Sequence, residues 1–147
     1  MVLSDKEEPP KAFNPDDRRD EAPVFSPNDE WIVHVKHGQG GQEVYASRRS
    51  RRDLVQIETQ GGDRPRFAED KLTGETWLFF RRGDEVWRVE ILDENEMETG
   101  AAEMFVKGVD AGAWDVLPNG SGVIALEPRP EPKLRLVLGA AALFPQK

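Results

Sequence analysis

The side chains best suited to chemistry in this 147-residue chain are few, and their spacing limits what they can do. Its two histidines, His34 and His37, stand in "HVKH". A zinc site needs such a pair on one face with a third ligand. In a strand, residues three apart point to opposite faces, so this pair reads as an ordinary strand end beside a loop. The run Asp93 to Glu98, "DENEME", has the carboxylates of a calcium loop but lacks the glycine at the sixth position and the spaced final glutamate. It reads as a solvated loop between strands. No cysteine is present, which removes thiolate ligands, disulfides and cysteine nucleophiles together. No Gly-x-Ser-x-Gly elbow, phosphate-binding loop or kinase signature occurs. Carboxylates are abundant, and no pair stands out as an acid and base. No catalytic residue, metal or cofactor is implied.

Composition narrows the partners. Charged residues are 33% of the chain and the net charge is −8. Nucleic acid demands clustered Lys and Arg, and the one basic cluster, "RRSRRD" at Arg48 to Asp53, reads as a solvated loop. No stretch nears the length of a membrane span. The amino-terminal "MVLSDKEEPPKAF" has no apolar run or cleavage signature, so the expected location is cytoplasmic, with the periplasm open if the chain is a fragment.

The elements that would position any site are strands. Residues 1–22 are polar and lack either hydrophobic period, so they read as a disordered lead-in. From Pro23 onward, alternating apolar runs are bounded by Gly, Pro, Asn and Asp turns. They predict strands at Trp31–Lys36, Gln42–Ala46, Leu54–Glu58, Thr76–Arg81, Glu85–Ile91, Val123–Leu126 and Leu134–Leu138. "MFVKG" adds another. In Glu85–Ile91, Trp87, Val89 and Ile91 share one face.

The runs repeat. "PVFSPNDEWIVHV" and "AWDVLPNGSGVIAL" align with Pro27 on Pro118, Asn28 on Asn119, Ile32 on Val123, Val33 on Ile124 and Val35 on Leu126. Asp29 then falls on Gly120. Pro65-Arg-Phe67 repeats Pro23-Val-Phe25 at a spacing of 42 residues, and Val116 follows Phe67 by 49. Several short strands per period of about 40–50 residues are the mark of propeller blades. Each copy would make the inner hairpin of one blade, with Pro setting φ and Asn, Asp or Gly taking the next position. Phe25, Phe67 and Val116 then become equivalent, expected buried between blades.

"PVFSPNDEWIVHV" resembles the Phe-Ser-Pro-Asp-Gly box of TolB-like, WD-repeat-like β-propellers. Phe25, Ser26, Pro27 and Asn28 carry it in the first copy, Pro65 and Phe67 in the second, and Pro118, Asn119 and Gly120 in the third. "QIETQGGDRPRF" is similar to their blade junction. "AWDVLPNGSGVIAL" is similar to the last-blade variant in propellers fused to bacterial serine/threonine kinases. The resemblance spans about Glu21 to Phe144. The middle copy departs from it: it has lost its Pro and carries Lys71 to Gly74 as extra turn.

The resemblance implies an all-β chain of about three four-stranded blades, near residues 23–60, 61–107 and 108–147, a partial or open propeller. It implies a non-catalytic module that binds a protein or peptide. The alternative is the carboxy-terminal sensor segment of a larger signalling protein, linked to a kinase or cyclase. A small hydrolase is a third reading, and it needs a polar cluster in a cleft. On the face where the chain enters each blade, Trp114, Asp110 and Arg64 are the candidate binding residues. For Trp114 core packing is the ordinary role and a partner surface the other. The partner is a protein, the rest of a propeller, or a second copy, because Leu134, Leu136 and Leu138 point one way with no following blade to cover them.

Overall fold

A computed structural model describes residues 20–38, 41–50, 53–58, 60–109, 113–127 and 133–138. Among them are twelve strands and no helix. The first sheet runs β1 (Asp20–Phe25), β2 (Trp31–Gly38), β3 (Gly41–Arg48), β4 (Leu54–Glu58). The second runs β5 (Asp63–Glu69), β6 (Thr76–Arg82), β7 (Glu85–Asp93), and both β8 (Glu98–Thr99) and β9 (Glu103–Lys107) pair with β7. The third runs β10 (Ala113–Val116), β11 (Gly122–Glu127), β12 (Lys133–Leu138). Every pairing is antiparallel between chain neighbours, apart from the step from β7 to β9. The strands expected from alternation are present. The expected four-stranded count holds in the first sheet only: the second has five strands, because the acidic loop folds into β8, and the third has three among the described residues. Strand β1 starts at Asp20, inside the stretch read as lead-in; residues 1–19 lie outside the described residues.

The sheets repeat one register. Phe25 pairs with Ile32, Phe67 with Leu78 and Val116 with Val123. Both β1 and β5 carry an irregularity in the same place, next to a non-glycine residue of positive φ that precedes a proline: Ala22 (φ 53°) before Pro23, Arg64 (φ 48°) before Pro65. The Pro-Asn turns are closed alike. Ser26 N–H donates to Trp31 O at 2.9 Å and Leu117 N–H to Gly122 O at 2.8 Å. Asn28 Oδ1 accepts the Glu30 amide at 3.0 Å, and Asn119 Oδ1 the Ser121 amide at 3.0 Å. The residue after each Asn takes the left-handed conformation, Asp29 at φ 60° and Gly120 at φ 77°. In the middle copy the extra turn sits on a longer hairpin, with Asp70 N–H donating to Glu75 O at 2.8 Å.

Two cores lie between the sheets, one on each face of the second. Strand alternation sends Leu78, Phe80, Val89 and Ile91 toward Trp31, Val33, Val44 and Ala46 of the first sheet. It sends Phe79 and Val86 toward Trp114, Val123 and Ala125 of the third. The expectation that Phe25, Phe67 and Val116 are all buried needs correction. Phe67 and Val116 are partly buried against these two cores, while Phe25 is 50% exposed. Its face of the first sheet has no sheet packed on it among the described residues, and its ring lies under the Arg49 guanidinium at 5.7 Å.

The acidic loop fastens the first two sheets. Met97, in the left-handed conformation at φ 53°, is 2% exposed within the first core. Glu94 Oε1 accepts the Asn28 amide at 2.9 Å. Arg48 stacks over Trp31 at 4.5 Å, donates to Asn95 O at 2.7 Å and pairs with Glu96 at 3.6 Å.

Candidate functional site

At the opposite end from that loop, the chain crosses from one sheet to the next through two joints of like geometry. Gly62 N–H donates to Gln42 O at 3.0 Å; Val109 N–H donates to Asp84 O at 2.8 Å. Gly61 (φ 95°) and Gly108 (φ 86°) precede them. Side-chain volume is exchanged between the joints. A Cβ at Gly62 would lie 2.7 Å from Phe80 Cδ2, whereas Val109 is buried in the second core and Ala125 stands where the register puts Phe80.

The first joint opens a cleft of about 190 Å³ lined by Gln42, Gly61, Gly62, Asp63, Arg81, Arg82 and Gly83. Arg81 Nε lies 3.4 Å from Asp63 Oδ1. Arg82 Nε–H donates to Gly61 O at 3.0 Å, and its guanidinium lies 4.4 Å from the Trp87 ring. Trp87 is itself oriented by donation from Nε1 to Glu85 Oε2 at 2.9 Å. The described lining thus carries two guanidiniums and the Asp63 carboxylate. Among the described residues the lining holds no histidine, serine or threonine.

The three candidates from the sequence are not gathered here. Trp114 is 6% exposed, packed in the second core with its indole N–H unpartnered among the described residues. Its packing is the core role. Arg64 is half-buried beside Asp63 and does not line the cleft. Asp110 lies outside the described residues. Sequence reasoning passed over Arg81, Arg82 and Asp63 because they sit at a strand end and a turn. The available signal was "GGD" followed by "RRGD", two glycine-flanked charge clusters that the hairpin register brings together.

Other groups are engaged in the fold. His34 Nε2 lies 2.8 Å from Ser47 Oγ, the spacing of a base and nucleophile, yet both are buried. His34 and His37 lie on opposite faces of β2, and no group of three metal-ligating side chains occurs among the described residues. Glu94 and Glu96 are spent on the contacts to Asn28 and Arg48. Tyr45 donates to Glu43 Oε2 at 3.1 Å, and burial, then Glu43, raises its pKa above the ordinary phenol value.

A second surface lies on the third sheet, on the face away from the second core. Pairing of β11 with β12 sets Leu126 opposite Leu134 and Ile124 opposite Leu136. Leu126 is 44% exposed, Leu136 52% and Leu134 74%. Compared with known proteins, the chain matches no family model and no curated protein.

Proposed function

We propose that the chain is a non-catalytic interaction module, a partial TolB-like propeller that binds a protein or peptide partner. The observation that carries this reading is the leucine face of the third sheet, Leu126, Leu134 and Leu136. Within the chain, the equivalent face of the first sheet covers the second, and that of the second covers the third. Left open, such a face favours association, since each residue buried gains on the order of 25 cal/mol per Å² of apolar surface. The resemblance to blades fused to signalling kinases supports a second reading, in which the rest of a larger propeller covers this face.

Sedimentation velocity over a micromolar concentration series, with an apolar dye, tests the proposal. Concentration-dependent mass or dye binding is expected, and both are expected to vanish in Leu134→Lys/Leu136→Lys with the melting temperature unchanged. A monomer that binds no dye at every concentration overturns it.

A further inference from the structure

We infer that Asn119 is a site of spontaneous deamidation, held back while its turn is closed and released when the β10–β11 hairpin opens, and that the β-linked aspartate formed there keeps the third sheet from closing again. This goes beyond the interaction reading and stands on different residues.

The chemistry is set by the residue that follows each asparagine. Asn14, Asn28, Asn95 and Asn119 precede Pro15, Asp29, Glu96 and Gly120. In deamidation the backbone nitrogen of the next residue attacks the asparagine Cγ. The new N–C bond closes a five-membered imide, and the side-chain nitrogen leaves as ammonia with the proton of the attacking amide. Water then opens the imide at either carbonyl, to give aspartate or its β-linked isomer. Pro15 has no N–H to give up. A β-carbon on the next residue crowds the attacking nitrogen, and Gly120 alone of the four has none. Asn119 is exposed, so water reaches it and ammonia escapes.

The turn both restrains the reaction and is damaged by it. Gly120 N–H donates to Leu117 O at 2.8 Å, and Asn119 Oδ1 accepts the Ser121 amide at 3.0 Å and the Ser121 hydroxyl at 2.7 Å. The attacking nitrogen and the group it must attack are therefore each held, and reaction waits for both contacts to break. They lie at a hairpin tip, where opening does not require the whole chain to unfold. The β-linked product carries one more carbon in the main chain, and the former side-chain carbonyl becomes part of the backbone. The contact to Ser121 is lost, and the path from Leu117 to Gly122, closed by Leu117 N–H on Gly122 O at 2.8 Å, grows longer. The fold leaves little slack for it. Gly120 is buried, and a β-carbon on it would meet Ala68 Cβ at 3.4 Å and the Phe79 ring at 3.6 Å. Pro118 O is fixed on the other sheet by the Glu69 amide at 3.1 Å.

The test is peptide mapping by mass spectrometry of the full chain, kept in warm, mildly alkaline buffer in three states: native, in mild urea and fully unfolded. Replacement of NH2 by OH is expected at Asn119 ahead of Asn28 and Asn95, and more slowly in the native chain than in the unfolded one. Mild urea is expected to speed it in step with amide exchange in β11. Gly120→Ala is expected to abolish the conversion over the time the parent chain needs. An L residue at φ 77° strains the turn and opens it more often, so that loss can come only from the added methyl. If that variant fails to fold, Asn28 supplies the comparison within one chain, since its turn is closed alike by Asp29 N–H on Ser26 O at 2.9 Å and only the next residue differs in kind. Asn119→Asp, the product without rearrangement, is expected to keep the amides of β11 and β12 protected, and the purified β-linked chain to lose that protection. Conversion at Asn28 as fast as at Asn119, equal rates in the native and unfolded chains, or a β-linked chain with its third sheet intact overturns the inference.

Discussion

Gly62 and Val109 do the same backbone work with different side chains, and the difference is taken up by Phe80 and Ala125. Gly62→Val drives new methyl groups into Phe80 and Val44, and overpacking of this kind costs about 1–3 kcal/mol. Phe80→Ala leaves a cavity worth about 3–5 kcal/mol. The double variant copies the second joint, so it is expected to lose less stability than the sum of the two, by urea unfolding. A strictly additive pair would contradict the volume exchange. Tyr45, the only tyrosine, gives a second residue-scale prediction. Burial first, then Glu43, favours its neutral phenol. A phenol whose pKa is higher folded than unfolded adds stability below the unfolded value. That stability is lost as pH rises through the folded value. Absorbance titration of the tyrosinate is expected to show a midpoint above that of the unfolded chain, and Tyr45→Phe is expected to remove the corresponding alkaline loss of stability. At this scale the sequence was legible where conformation repeats, as in Pro23-x-Phe25 and Pro65-x-Phe67. It was silent on the Phe80 and Ala125 exchange, because the register that equates them exists only after pairing.

Strands were the most legible elements. Glu85–Ile91 alternates Trp87, Val89 and Ile91, and β7 extends that run by two residues to Asp93. The acidic loop was read as solvated, and its carboxylates justify that reading on composition alone. Its single apolar residue, Met97, was the signal that it docks, but a lone residue has no period to measure. Once β8 turns the chain back, Met97 enters the first core and Glu94 and Glu96 face the other sheet's hairpin. Met97→Ala is expected to lower stability by roughly 2–5 kcal/mol, as for other buried apolar truncations. Leu92→Ala, at an exposed position of the neighbouring strand, is expected to change it by less than about 0.5 kcal/mol. Urea midpoints compare the two, and equal losses would remove the loop from the core.

In the whole molecule, the spacing of the repeats already ordered the sheets, since a hairpin register recurring every 40 to 50 residues builds each sheet from its own stretch of chain. Which faces would be covered was less legible. Phe25, Phe67 and Val116 read alike in one dimension, yet among the described residues only Phe67 and Val116 have a sheet laid over them. Neighbours in space, not residue type, decide that. The fastening of the sheets is also unequal. The first two share a core, a joint, buried Met97 and the polar contacts of Arg48 and Glu94. Among the described residues, the third meets the second through its core, a joint, the Glu69 amide on Pro118 O at 3.1 Å, an Arg66–Asp115 pair at 3.7 Å and Arg135 Nη1 donating to Gly108 O at 3.3 Å. Among the described residues, the loop from Glu94 to Met97 therefore ties the first two sheets more closely than the second and third. In native-state hydrogen exchange under mild denaturant, the amides of β11 and β12 are expected to lose protection together and first, while β2 and β6 hold on to the global transition. Uniform protection across all three sheets would mean that one cooperative unit spans the chain. If the order holds, the molecule sheds its leucine-bearing sheet before it unfolds, and the piece it keeps is the one that contains the cleft at the first joint.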